Sequence, residues 1–234
     1  MFGEGMFMID KLWYLSQMKL FDNVSPEDME EVNKWAHHAK IRKHTIIQTP
    51  EMVREGLYFV KEGALRLYTV NSEGKQFTVG ILGRGSTFGE IDSFSLGTHG
   101  VYIETLEDTL LCSIGREQFE KFISTRPHIM KRVMRILSDQ LKEKNEMLEK
   151  MALGTVKEKL LFLLLNLSEE FGVLEDGFHR IDLPLTHQEI GNMIGATRES
   201  VTSTINELVK EGIVKTGRKT ISIHRKRAKE QLFD

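Results

Sequence analysis

Arg198 and Glu199 are the side chains whose type and setting point most directly to chemistry. They sit in Thr186–Gly212 (THQEIGNMIGATRESVTSTINELVKEG), where an apolar-periodic stretch ending in Met193-Ile194 is followed by Gly195 and then Thr197-Arg198-Glu199. Two short helices around a glycine turn make a helix-turn-helix, whose second helix enters the major groove with its N-terminal residues facing base edges. An arginine there can grip guanine O6 and N7, and a glutamate can accept from cytosine N4. Thr202 and Ser203, one turn further on, can read a base or touch phosphate. Thr186, Gln188 and Thr197 are placed as phosphate-contacting or capping groups. The pattern implies a reader of duplex DNA.

Nothing else in the chain competes as a reactive site. HExxH, GxSxG, P-loop and CxxC patterns are absent, and the eight histidines show no ligand spacing. These absences argue against an enzyme and against a metal site. GRGSTFG (83–89) is one residue off GxGxxG and no helical period follows it, so a dinucleotide loop is not expected. The single cysteine, Cys112, excludes an internal disulfide, a cysteine zinc cage and a cysteine-ligated cluster; its apolar neighbours make it a small buried hydrophobe.

Net charge is −2, but it is unevenly placed. From Pro184 to the end nine Lys/Arg face six Asp/Glu, and between Gly212 and Lys229 seven basic residues occur without an acid. A basic end on a mildly acidic body suits a nucleic-acid module. Glu4, Asp10 and Lys11 stand amid the first apolar residues, unlike a signal peptide. The longest apolar run, Leu160–Leu165, is far short of the roughly 20 residues a spanning helix needs. A cytoplasmic protein with no membrane partner is expected.

The elements that would hold the reading pair follow from periodicity. Residues 10–40 read as helical, with Ser25-Pro26-Glu27-Asp28 as the start signal. From Ile41 to about Ile114 the pattern is of short β-type runs (57–60, 64–70, 76–82, 101–105) between turns, as in a small antiparallel barrel or roll. After Arg116 the period is helical again. Met130, Met134, Leu137, Leu141, Lys144, Leu148 and Met151 recur at alternating spacings of four and three on a helix opened by Pro127. Such a repeat makes a helix-packing seam. Its outer positions are densely charged, leaving little but the seam to bury, so a homodimer is expected. Gly154-Thr155 breaks the pattern and is a candidate hinge. Val156–Phe171 reads as a core helix, followed by a Glu175-Asp176-Gly177 turn and an Arg180–Leu183 strand. Two short strands then flank Thr216-Gly217-Arg218-Lys219 as a wing able to lay Arg218 and Lys219 on phosphates. The expected domains are 1–126, 127–154 and 155–234.

This layout resembles the bacterial cAMP receptor protein and fumarate-nitrate regulator (Crp/Fnr) family, over about Leu20 to Ile223. The resemblance is carried by LYFVKEGALRLYTVNSEGKQFTVGILGRGSTFGE and THQEIGNMIGATRESVTSTINEL. It implies an α+β protein with an N-terminal antiparallel, cyclic-nucleotide-binding-like β-roll, a long dimerisation helix and a C-terminal winged helix-turn-helix. It further implies a homodimeric transcription regulator on a pseudo-palindrome with half-sites about one helical turn apart, with RNA polymerase as a partner. Arg198 and Glu199 match the family's first two base-reading positions, which implies TGTGA- or TTGA-type half-sites. The third position, often arginine, is Ser203 here, a change at a contact worth about 1–3 kcal/mol of discrimination.

The family's phosphate-binding cassette is only half present. Gly89-Glu90 matches its glycine-glutamate pair, but no Arg or Lys lies between Glu90 and Leu106, and His99-Gly100 stands where Arg-Ser would. A Thr-Ser pair that holds the base in cAMP-binding members falls on Lys144-Asn145. Both departures argue against cAMP and make Gly89-Glu90 a retained structural turn. Three readings stay open for a pocket of Gly89, Glu90, His99, Lys144 and Asn145: no ligand, another small molecule such as an anion meeting Lys144 and His99, or haem on a histidine, the weakest of the three. No cofactor is expected.

Overall fold

The structure is a computed structural model that describes residues 19–21, 24–52, 55–91, 94–217 and 220–233. They form two compact units, one running to Thr69 and resuming over Val79–Leu141, the other comprising Val70–Thr78 and Lys142 onward.

In the first unit a 3-10 turn (Lys19–Phe21) precedes helix α1 (Pro26–Trp35), which starts as its sequence requires, with Ser25 accepting from the Asp28 N–H at 3.1 Å and Pro26 opening the first turn. Nine strands follow: β1 (His37–Ile41), β2 (Ile46–Gln48), β3 (Gly56–Glu62), β4 (Leu65–Val70), β5 (Gln76–Leu82), β6 (Thr87–Ile91), β7 (Phe94–Ser95), β8 (Tyr102–Thr105) and β9 (Thr109–Ile114). They make a five-stranded sheet, β1-β9-β3-β6-β7, and a four-stranded sheet, β2-β8-β4-β5. Two-residue alternation along the strands separates two cores. Val60, Leu65, Leu67, Phe88, Ile103 and Leu111 fill the space between the sheets. Leu57, Phe59, Cys112 and Ile114 point the other way, onto helices.

Those helices are α1, α2 (Arg116–Ser124) and the start of α3 (Pro127–Leu153), joined to the sheet through Phe119, Phe122, Ile129 and Val133. Two expectations are corrected here. Of residues 10–40, the first nine lie outside the described residues, and His37–Ile41 is a strand rather than helix, paired antiparallel with β9. This strand is at a sheet edge and mostly exposed, so no apolar alternation marks it in the sequence. On α3, the repeat is not the only apolar stripe. Ile129 and Val133 are buried, and Ile136 packs beside them. Two residues assigned to the seam, Met130 and Leu137, lie partly against this same core. Met134, Leu141 and Leu148 stay exposed, at 64%, 64% and 66%, and Met151 is half-buried.

In the second unit Thr155 caps α4 (Val156–Phe171) through a reciprocal box with Glu158, whose carboxyl is held below the ordinary range by hydrogen bonds from the Thr155 backbone and hydroxyl. Then come β10 (Gly172–Glu175), β11 (Phe178–Ile181), α5 (His187–Ile194), α6 (Arg198–Lys210), β12 (Val214–Gly217), β13 (Thr220–Ile223) and α7 (Arg225–Phe233). The four strands form one antiparallel sheet, β10-β11-β13-β12. The expected strand at Arg180–Leu183 is displaced to Phe178–Ile181, because the two-residue Asp176-Gly177 turn pairs Glu175 with Phe178 and sets the register. Gly172–Glu175, not anticipated as a strand, is the other arm of that hairpin.

Arg126, between α2 and α3, clamps the helical layer of the first unit. Its Nε donates to Asp28 Oδ1 at 2.7 Å and its Nη2 to Glu31 Oε2 at 2.6 Å, with the guanidinium 4.2 Å above the Phe122 ring. The hydrogen bond from Arg126 holds the Asp28 carboxyl below its ordinary value. A carboxylate so lowered contributes stability that is complete above its unfolded pKa and is lost as pH falls through the folded one. Arg126→Ala is therefore expected to destabilise this unit by about 1–3 kcal/mol at pH 7. Chemical denaturation of wild type and variant should show the gap narrowing below about pH 4.

Candidate nucleic-acid interface

The reading head is built on caps. Thr186 precedes α5 in a reciprocal box: its hydroxyl accepts from the Glu189 N–H at 3.2 Å, while the Glu189 carboxylate accepts from the Thr186 N–H at 2.6 Å. Gly195 ends α5 at φ 65°, a left-handed position suited to glycine at a helix C-terminus. Thr197 then caps α6, accepting from the Ser200 N–H at 3.1 Å. Thr186 and Thr197 thus act as caps. Arg198 and Glu199 follow as the first two residues of α6, both exposed, and neither side chain is tied by a hydrogen bond among the described residues. Ser203 is exposed one turn further on, and exposed Gln188 bonds to Asn192 at 3.0 Å.

The corner between α5 and α6 is tight. A Cβ on Gly191 would lie 2.6 Å from the Ala196 carbonyl oxygen, so only a bare backbone lets the turn pass this close. Behind it Ile190, Met193, Ile194, Val201, Ile205 and Leu208 are buried, and Leu160, Leu161 and Leu164 of α4 are buried with them in this unit. Thr202 is not the open contact that the sequence suggests. Its hydroxyl donates to the Arg198 carbonyl at 2.8 Å and meets His187 Nδ1 at 2.8 Å. His187 escaped the sequence reading because a lone histidine at a helix start carries no pattern; only its distance to Thr202 singles it out.

The last part of the basic end, from Arg225, lies on α7, and three of its cations are tied back into the domain. Arg225 donates to the Ser168 hydroxyl at 2.9 Å and to the Ser168 carbonyl, Arg227 to the Gly212 carbonyl at 3.0 Å, and Lys229 pairs with Glu169 at 3.4 Å. On β12, Lys215 Nζ lies 4.0 Å over the Phe178 ring. The wing strands pair as far as Gly217 and Thr220, whereas Arg218 and Lys219 lie outside the described residues.

In the roll, Glu90 is committed internally. Its Oε1 accepts from the Thr98 hydroxyl at 2.6 Å, the Ser95 hydroxyl at 2.8 Å and the Thr98 N–H at 3.2 Å. Gln48 Nε2 donates to the Thr98 carbonyl at 2.7 Å, so the segment following β7 is held from two sides. Gly89, at φ 131°, abuts β3, where a Cβ would collide with the Gly56 carbonyl oxygen. Both halves of the Gly89-Glu90 pair therefore have an intramolecular reason to be there. His99 is exposed in the loop before β8. Lys144 and Asn145 lie exposed on α3, in the second compact unit. Between the sheets, a cavity of about 10 Å³ is lined by Ile47, Gln48, Tyr58, Phe88, Ile103 and Leu111, no more than a single water occupies.

A double-sheeted roll, a long helix and a winged helix-turn-helix define a DNA-binding regulator with a cyclic-nucleotide-type domain. Residues 39–126 match the cyclic nucleotide-binding domain and residues 158–228 the Crp-like helix-turn-helix domain. The chain is 31% identical over 185 residues to the global nitrogen regulator of Synechocystis sp., covering 76% of this chain and 80% of the relative. It is 25% identical over 210 residues to the CRP-like cAMP-activated global transcriptional regulator of Mycobacterium tuberculosis, covering 89% and 93%. The structure of FixK2 from Bradyrhizobium japonicum has the same fold, with a TM-score of 0.74 at 23% identity over 83% of this chain and 96% of that one. The chain belongs to the Crp/Fnr family of transcription regulators, and its relatives are regulators rather than enzymes.

Two substitutions test how the head is held. Gly191→Ala should force α5 and α6 apart and cost about 1–3 kcal/mol, and Thr186→Ala, removing a cap, about 1 kcal/mol. Thermal denaturation followed by far-UV circular dichroism would read both, with Gly191→Ala also weakening any DNA binding beyond its effect on stability.

Proposed function

We propose that the protein is a homodimeric, sequence-specific DNA-binding regulator, working on a pseudo-palindromic site without cAMP. The observation that carries this reading is the start of α6, where the Thr197 cap leaves Arg198 and Glu199 exposed at the two positions that face base edges in a docked helix-turn-helix. Arg198 reads guanine and Glu199 cytosine, with Ser203 as the third, weaker reader.

Dimerisation is supported by α3. Met134, Leu141 and Leu148 recur at seven-residue spacing and remain exposed, an apolar line suited to the same line on a second copy. Two heads related by a two-fold axis would then read inverted half-sites. Independence from cAMP is supported by the missing basic residue between Glu90 and Leu106 and by the three hydrogen bonds already on the Glu90 carboxylate. A cyclic phosphate brought here would be desolvated without a counter-charge from that segment. In a cell such a dimer would act beside RNA polymerase in the cytoplasm.

A gel shift with a duplex carrying inverted TGTGA-type half-sites, with and without cAMP, tests the reading. Wild type should bind equally in both conditions, and Arg198→Ala should bind roughly tenfold or more weakly, the cost of one bidentate contact per half-site. Equal binding by wild type and Arg198→Ala would remove the base-reading role. Leu141→Lys should shift the protein to a monomer in sedimentation and abolish binding to the palindrome at the same concentration.

A further inference from the structure

We propose that His187 is a proton-gated phosphate ligand, so that each reading head grips the DNA backbone more strongly when this ring is charged. The inference rests on the DNA-reading face proposed above. It starts from one hydroxyl hydrogen. Thr202 Oγ1 donates to the Arg198 carbonyl at 2.8 Å, the back-bond that a threonine makes along its own helix, and it also lies 2.8 Å from His187 Nδ1. A hydroxyl has a single hydrogen. With that hydrogen on the Arg198 carbonyl, Nδ1 must carry the ring's proton and donate to the Thr202 oxygen. The neutral ring is thereby set in the Nδ1–H tautomer, and Nε2 is left as an acceptor.

An acceptor cannot bind a phosphate oxygen. Protonation changes this without moving the ring, because Nδ1–H is present in both states and the bond to Thr202 is kept. The charged ring gains an Nε2–H donor and a positive charge together, the combination that makes the stronger, charge-assisted contacts to phosphate. Its position suits that role. His187 is the first residue of α5, between the Thr186 cap and exposed Gln188, and is fastened to the turn of α6 that follows Arg198 and Glu199. Nε2 makes no hydrogen bond among the described residues.

No side-chain charge around it pre-empts the gate. On α5, Glu189 is spent on the Thr186 N–H and hydroxyl. On α6, Arg198 and Glu199 are of opposite sign and exposed. On α4, Lys157 is paired with Glu207 and Glu211, Glu158 with Thr155 and Glu169 with Lys229; the helix also carries Lys159 and Glu170. Asp182, ahead of α5, holds Arg180. No carboxylate forms an ion pair with the His187 ring among the described residues, so the phosphate is the anion that the charged ring would meet.

The test is equilibrium binding of the full-length protein to the inverted-half-site duplex by fluorescence anisotropy, over a salt series at pH 6 and pH 8. For wild type, log K against log salt should be steeper at pH 6 by about 0.9 per half-site, one extra phosphate neutralised by each head. His187→Gln should show the same slope at both pH values. Long-range ¹H–¹⁵N spectra of the free protein at pH 8 should show the His187 ring in the Nδ1–H form. Equal pH dependence in wild type and His187→Gln, or an Nε2–H ring, overturns the proposal while leaving the DNA-reading role intact. No binding by wild type at either pH overturns both.

Discussion

The direction in which Arg198 and Glu199 point depends on the closeness of α5 and α6 at their shared turn. Gly191 lets the Ala196 carbonyl approach to a distance that no side chain would allow, and Gly195 turns the chain through a left-handed position so that Thr197 can cap the next helix. The bond between His187 and Thr202 closes the same corner from outside. A base contact requires a side chain held to within a fraction of an ångström. Two glycines, two threonine caps and one histidine supply that rigidity locally, before any contribution from packing on α4.

A second constraint governs α3. A helix covering its own domain needs one apolar stripe, whereas α3 has two. Ile129 and Val133 serve the roll, while Met134, Leu141 and Leu148 are left in water. Leaving such a line exposed is costly at roughly 25 cal/mol per Å² of apolar surface, and a second copy is the simplest cover for a stripe that repeats every seven residues. The roll, by comparison, is closed on itself. Glu90 and Gln48 are both spent on the segment around Thr98, which gives the retained glycine-glutamate pair a role in folding.

The parts of this fold legible in the sequence are those specified by neighbours in the chain. The helix-turn-helix was legible because caps, the αL glycine and a 3.6-residue period are local signals, and α1 and α3 open at their prolines for the same reason. The edge strand β1 was not, because its polar residues carry no alternation and its conformation is imposed by the backbone of β9. The second stripe on α3 was hidden within a run of charged residues. In the basic end, composition does not tell a cation in water from one tied to a carbonyl, as Arg225 and Arg227 are.

By itself, then, the sequence determined the order of roll, long helix and reading head, and placed Arg198 and Glu199 at the start of the recognition helix. Tertiary structure decided how each polar group is used: Arg225, Arg227 and Lys229 for holding α7, Glu90 for closing a loop, Thr202 for fastening His187. The physical reason is one of range. Periodicity and capping act over a few residues and are written along the chain, whereas a hydrogen-bond partner 57 residues away, as for Arg225 and Ser168, exists only once the fold has brought it there.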